Sequence, residues 1–188
     1  MAQLERPLRA DAVRNRERVL DVAYETFAAE GLSVPIDEIA RRAGVGAGTV
    51  YRHFPTKEAL FQAVIRDRMQ HLVDNGYALL ESAGPGEAFF AFLRSIVLQW
   101  GATDRGLVEA LAGLGIDIEA AAPDAEDAFL GVLGELLRAA QAAGTARPDI
   151  GVREAKAILV GCQAMEAYNS ELAERVTDIV VDGLRVQR

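Results

Sequence analysis

Read for apolar spacing, the chain is a succession of helical stripes. Ile36, Ile39, Ala40 and Ala43 recur at three, four and seven, one face of a two-turn helix, and Gly44 ends it. From about Ala47 a second short helix puts Val50 and Phe54 on its buried side and leaves Thr49, Tyr51, Arg52 and His53 outward. Ahead of this pair, Val19, Leu20, Ala23 and Phe27 form the stripe of a first helix, with Asp11 as its N-cap, Glu30 near its end and Gly31 as a left-handed cap. Residues 1 to about 9, with Pro7 and no periodicity, read as a flexible basic tail. Pro35 stands near the start of the second helix, where its fixed φ is tolerated. Thr56 is suited to cap a long helix running from Lys57 past Leu60, Val64, Arg68 and Leu72 to about Leu80. That is a rod of roughly 36 Å at 1.5 Å per residue, long enough to serve two domains.

Gly84-Pro85-Gly86 is the clearest break. The segment from Glu87 to Trp100 then carries Phe89, Phe90, Phe92, Leu93, Ile96, Val97 and Trp100 on nearly every face, the pattern of a buried helix. After Asp104 the pattern weakens and reads as a short helix and a loop, interrupted by Gly113, Gly115 and Pro123. A new helix takes in Phe129, Val132, Leu133, Leu136 and Leu137 and ends at Gly144. Two more follow, from about Val152 to Tyr168 and from Glu171 to Val186, joined so briefly by Asn169-Ser170 that they are antiparallel neighbours. With aromatics at 6% and no run of alternating β-branched residues, the chain reads as all-α, with about nine helices.

Charge changes the picture only when divided. The net charge of −8 belongs to the second part: residues 1–70 hold 11 Lys and Arg against 10 Asp and Glu, and residues 71–188 hold 9 against 18. Arg6, Arg9, Arg14, Arg16 and Arg18 cluster before the paired short helices, and Arg41, Arg42, Arg52 and Lys57 lie within or just after them. Local distribution, not the total, decides attraction to phosphate. The basic N-terminus lacks an apolar segment and no stretch is long enough to span a bilayer, so a cytoplasmic protein is expected.

Two short helices joined by a turn containing Gly, the second polar on its outer face, are the pattern of a helix-turn-helix, whose second helix enters the major groove of DNA. The competing account is a pair of short helices inside a bundle. The run AGVGAGTVYRHFPTKEALF, Ala43 to Phe61, resembles the recognition helix and linker of the TetR family of bacterial transcription regulators. RNRERVLDVAYETFAAEG, Arg14 to Gly31, is similar to the family's first helix. This resemblance implies a DNA-binding domain over 1–57 and a ligand-binding and dimerisation domain over 58–188.

Matching the family's motif residue by residue, Tyr51, His53 and Lys57 contact phosphate, while Thr49 and Arg52 reach base edges. Arg41, Arg42 and the small Gly46, Ala47 and Gly48 complete the expected DNA-binding set. Gly46 and Ala47 depart from the longer polar side chains found in the family, and Asp37 would repel phosphate. Both point towards reading DNA shape. GVGAG is not a nucleotide-binding loop, since no strand precedes it and no GK[ST] follows. No cofactor is expected.

The aromatic face of Phe89, Phe92, Ile96 and Trp100 fits either core packing or a pocket wall. The resemblance implies the pocket, to which Tyr77, Cys162, Met165 and Glu166 would add, for a small and mainly apolar effector. The terminal stripes of Ile158, Leu159, Leu172, Val176, Ile179, Val180 and Leu184 could close the monomer's core. TetR-like proteins usually dimerise through their last two helices, and two copies suit an operator that is an inverted repeat. The reading is a ligand-responsive regulator, a repressor released from double-stranded DNA by its effector, or else a TetR-like activator. An enzyme would need a constellation that two isolated His and one apolar Cys do not supply. His71 reads as a packed or surface residue, with no metal site. A helical adaptor that binds only protein would need neither Arg41 and Arg42 nor outward Tyr51-Arg52-His53.

Overall fold

The computed structural model describes residues 5–100 and 123–187, the side chains of 5–10, 12, 99 and 100 excepted. Among these residues the chain is helical, with eight α-helices: α1 (Glu5–Glu30), α2 (Ile36–Ala43), α3 (Ala47–His53), α4 (Lys57–Ala83), α5 (Ala88–Ser95), α6 (Pro123–Ala142), α7 (Val152–Tyr168) and α8 (Ala173–Leu184). A π-helical turn, Ile96–Trp100, prolongs α5, and a 3₁₀ turn, Ser170–Leu172, precedes α8. The short helix and loop expected after Asp104 lie outside the described residues. Contacts divide the chain into two compact units, and among described residues the division falls inside α4, between Asp67 and Arg68.

The first helix corrects the expectation of a flexible tail capped at Asp11, because α1 already begins at Glu5. Pro7 sits in its first turn, where the missing N–H has no partner to lose. Asp11 is spent within the helix on Arg14. The buried stripe starts at Val19 and continues through Leu20, Ala23, Tyr24 and Phe27. In this first unit Ile36, Ile39, Ala40 and Ala43 of α2, Val50 and Phe54, and Leu60, Phe61 and Val64 of α4 are buried too. Phe27 meets Phe61 edge-on at 5.9 Å, within the preferred range for aromatic pairs.

The second unit is organised around α5. Phe89, Phe90, Phe92, Leu93, Ile96 and Val97 are buried in one cluster with Phe129, Val132, Leu133, Leu136 and Leu137 of α6, Leu159 and Cys162 of α7, and Val181 and Leu184 of α8. A Cβ on Gly76 would lie 2.7 Å from Val132 Cγ2 and 3.4 Å from Phe92 Cε2, so only glycine lets α4 approach α5 and α6 this closely. Beside it, Asn75 donates to Ser95 Oγ at 3.0 Å, and that hydroxyl donates to the Phe92 carbonyl at 2.9 Å. Arg185 closes the end of α8 onto the start of α5: it donates to Glu87 at 2.9 and 2.7 Å and lies 3.9 Å above the Phe90 ring. The Glu154 carboxylate accepts from Gly151 N–H at 2.9 Å at the start of α7. The last helix begins at Ala173, not Glu171, because Asn169 accepts from Glu171 N–H and makes a tight turn first.

Candidate nucleic-acid interface

The turn between α2 and α3 is built by one left-handed residue. Gly44 has φ +67°, and its N–H donates to the Arg41 carbonyl at 3.2 Å while Val45 N–H donates to Ala40 at 3.0 Å. These two bonds are the Schellman closure, which satisfies helix-end carbonyls and reverses the chain. Gly46 then enters α3 with extended backbone, its carbonyl accepting from Thr49 N–H at 2.8 Å. The stop at Gly44 and the restart at Ala47 fix which way α3 faces. Val50 and Phe54 turn inward, and Tyr51, Arg52 and His53 are exposed. Gly46 and Gly48 are exposed, Ala47 and Thr49 half-buried. A Cβ on Gly48 would meet nothing within 4 Å, so no packing within the described chain asks for glycine there. Thr56 Oγ1 accepts from Ala59 N–H at 3.1 Å, capping α4 and setting half-buried Lys57 at its first position.

Arg41 and Arg42 stand differently from the other expected DNA contacts. Arg41 donates to Glu38 through two nitrogens, at 2.8 and 2.7 Å. Arg42 donates to Glu38 at 2.8 Å and also reaches Glu30, the last residue of α1. Hydrogen bonds from both guanidinium groups hold the Glu38 carboxyl down to about 2, and Arg42 likewise lowers Glu30. Both arginines are thus committed to acids within the fold. The Glu38 partnerships were visible as spacings of three and four on one helix, whereas Glu30 to Arg42 is a tertiary pairing. Arg16 was named only as part of a cluster, yet its guanidinium lies 5.8 Å from the centre of the Phe54 ring, just beyond the end of α3.

Three residues of the expected effector face are buried. Phe89, Phe92 and Ile96 are sealed in the cluster around α5, with Phe92 against Phe129 at 6.1 Å between ring centres. The side chain of Trp100 lies outside the described residues. Tyr77 is exposed, its hydroxyl raised by the charge of Glu135. Cys162 and Glu166 are buried and Met165 half-buried. Burial pushes the Cys162 thiol up, which suits a packed side chain and not a nucleophile. Cys162 lines a crevice of about 10 Å³ with Leu93, Val97, Ile158, Leu159, Thr177, Val180 and Val181. Ligand pockets run to roughly 300–1,000 Å³, so this crevice is closed to a ligand as it stands. Thr177 Oγ1 is buried without a hydrogen-bond partner among the described residues. A larger surface hollow, about 440 Å³, lies between Arg147, Asp149 and Arg185, but Arg147 is paired with Asp149 and Arg185 with Glu87.

The proposed dimer stripes split in two. Leu159 and Leu184 are buried in the unit's own core, whereas Ile158 and Val180 are half-buried and pack partly against it. Leu172 and Ile179 are exposed, with Val176 between the two states. Exposed Val160 and Tyr168 extend that outer apolar set, and the sequence stripe missed both.

Comparison with known proteins follows the same division. The profile for bacterial regulatory proteins of the tetR family matches residues 19–64, and that for the SbtR-like transcriptional regulator C-terminal domain matches residues 84–186. The chain is similar to the solved TetR transcription regulatory protein from Mycobacterium vanbaalenii, at 60% identity over 96% of this chain and 100% of that one, with a TM-score of 0.81. A TetR transcriptional regulator from Streptomyces coelicolor is 35% identical over 92% and 99% of the two chains, with a TM-score of 0.76. A fold neighbour from Saccharomonospora viridis, solved in complex with choline, is 20% identical over 94% of this chain and 100% of that one, with a TM-score of 0.72. The HTH-type transcriptional regulator SrpR of Pseudomonas putida is 45% identical over 64 residues, 34% of this chain and 30% of that protein. The match thus spans about a third of that relative's length.

Proposed function

The chain belongs to the TetR family of bacterial transcription regulators, and from that premise we propose that it is a homodimeric repressor released from an inverted-repeat operator by a small, mainly apolar effector. The observation that carries the DNA-binding half is the outer face of α3, where Tyr51, Arg52 and His53 are exposed while Val50 and Phe54 anchor the helix. Tyr51, His53 and Lys57 position the protein on phosphates. Thr49 and Arg52 reach base edges, and Gly46, Ala47 and Gly48 allow close approach of the backbone. With only two side chains for direct readout, much of the specificity rests on DNA shape. Residues 1–57 act as the reading head and 58–188 as the effector and dimerisation domain, with α4 common to both.

Support for the dimer is the exposed apolar set Val160, Tyr168, Leu172 and Ile179, which a second copy would cover. The choline complex of the Saccharomonospora viridis neighbour supports an effector site in this fold. An effector entering beside Leu93, Val97 and Cys162 has to part closed packing and meets the unpartnered hydroxyl of Thr177. It therefore favours a conformation other than the packed one, and linkage requires it to weaken DNA binding if that conformation separates the reading heads wrongly. A coupling of about 1.4 kcal/mol already changes affinity tenfold.

The test is an electrophoretic shift with duplex DNA across a salt series. Lys57→Ala should weaken binding to all sequences alike and reduce the salt slope by about one. An unchanged slope removes Lys57 from the phosphate set, and no salt-dependent binding by the wild type removes the DNA-binding reading.

A further inference from the structure

The free positive charge of the first unit does not lie where the motif alone puts it. Arg41 and Arg42 are neutralised by Glu38 and Glu30, and Arg14 by Asp11. Arg16 and Arg52 form no ion pair with a described residue. Arg52 belongs to α3, but Arg16 comes from α1, and its guanidinium rests over Phe54 at 5.8 Å. Phe54 follows His53 at the end of α3, and its ring lies 6.1 Å from that of His53, so Arg16 and His53, an expected phosphate contact, share one ring as neighbour.

The chemistry of that contact leaves Arg16 able to bind. A cation–ring contact uses none of the five N–H donors of a guanidinium, which suit two phosphate oxygens. Arg16 is exposed, so its edge is open to a partner, and Phe54 is buried, so the platform is fixed. Arg41 and Arg42 show the opposite condition, with their edge donors turned onto carboxylates at 2.7–2.8 Å.

We propose that Arg16 is a DNA-backbone contact supplied by α1, extending the phosphate-binding surface across Phe54, while Arg42 ties α2 to the end of α1 through Glu30, Arg41 pairs within α2, and both leave phosphate alone. This rests on the DNA-binding reading above. The experiment follows binding of the full chain to a mixed-sequence duplex between about 50 and 200 mM salt, where each phosphate contact contributes about 0.9 to the slope of log affinity against log salt. Arg16→Gln should lower the slope by about 0.9 with an unchanged melting temperature, and Arg16→Lys, which keeps the charge, should retain it. Arg41→Gln and Arg42→Gln should leave the slope as it is, with Arg42→Gln lowering the melting temperature. An unaltered slope in Arg16→Gln overturns the proposal, as does a loss in Arg16→Lys equal to that in Arg16→Gln, which would make the effect one of packing on Phe54. A slope lowered in Arg41→Gln or Arg42→Gln returns those residues to the phosphate set. A wild type whose binding ignores salt sinks the underlying DNA-binding reading instead.

Discussion

Phe92→Ala separates the two accounts of the aromatic helix, because a core side chain and a pocket wall respond oppositely to truncation. Phe92 is 0% exposed. Its ring lies 6.1 Å from that of Phe129, and its Cε2 is 3.4 Å from the point where a Cβ on Gly76 would stand. Neighbours on α4 and α6 therefore close around it. Truncation removes the transfer energy of the ring and leaves a void, which for buried Phe→Ala costs about 3–5 kcal/mol. For a chain of this size about 2–4 °C accompanies each kcal/mol, so the midpoint should fall by roughly 6–20 °C. Calorimetry or urea unfolding reads this directly. A dry apolar void of that origin takes up small apolar molecules, so benzene should recover part of the loss. A cost under about 1 kcal/mol without a benzene effect would show that the ring already faces open space, and the core reading would fall.

Other expectations follow from the same burial and charge pattern. Ile179 is 61% exposed and Leu159 only 4%, so Ile179→Glu should give folded monomers by sedimentation while Leu159→Glu, which buries an unpaired charge, should unfold the second unit. A variant Ile179→Glu that remains dimeric at micromolar concentration would move the interface elsewhere. The carboxyl of Glu38 is depressed to about 2 by Arg41 and Arg42, so its contribution to stability is complete above the ordinary range near 4.5 and is lost as pH falls through about 2. The melting temperature of the wild type should therefore fall more steeply from about pH 5 to pH 2 than that of Glu38→Gln, and parallel curves would refute the linkage.

How much of this was legible depended on whether a feature was local. The paired short helices could be read because Gly44 and Gly46 punctuate them and the intervening stripes alternate inside and outside within a few residues. The helix read from about Val152 to Tyr168 is found as Val152–Tyr168. The start of α1 was not legible, since Glu5 to Arg18 carries mixed charge and no stripe. Such a segment becomes helical by propagation from the packed turns beyond Val19, where nucleation has already been met. Spacing also could not distinguish a cavity wall from a core. Phe89, Phe92 and Ile96 share a face in either case, and what stands opposite is set by Gly76, Phe129, Val132 and Leu136, residues remote in the chain.

The same limit governs the charges, and there it alters the functional reading. Counting Lys and Arg near a motif treats each as available to phosphate, but a fold assigns partners before any ligand arrives. Glu38 takes both Arg41 and Arg42 at helical spacings, and the end of α1 supplies Glu30 to complete the set. A phosphate approaching either arginine meets a guanidinium whose charge is already shared with a carboxylate, so the Coulomb gain is reduced. Arg16 faces no such competition, because its partner is the ring of Phe54 and not an acid. The near-balance of charge over residues 1–70 is thus not spread evenly through the first unit. Glu30 and Glu38 take up Arg41 and Arg42 where α2 meets α1, whereas Arg16, Arg52 and Lys57 form no ion pair with a described residue. An almost neutral domain can in this way keep unpaired cations beside the end of α3, and local distribution is what a polyanion responds to.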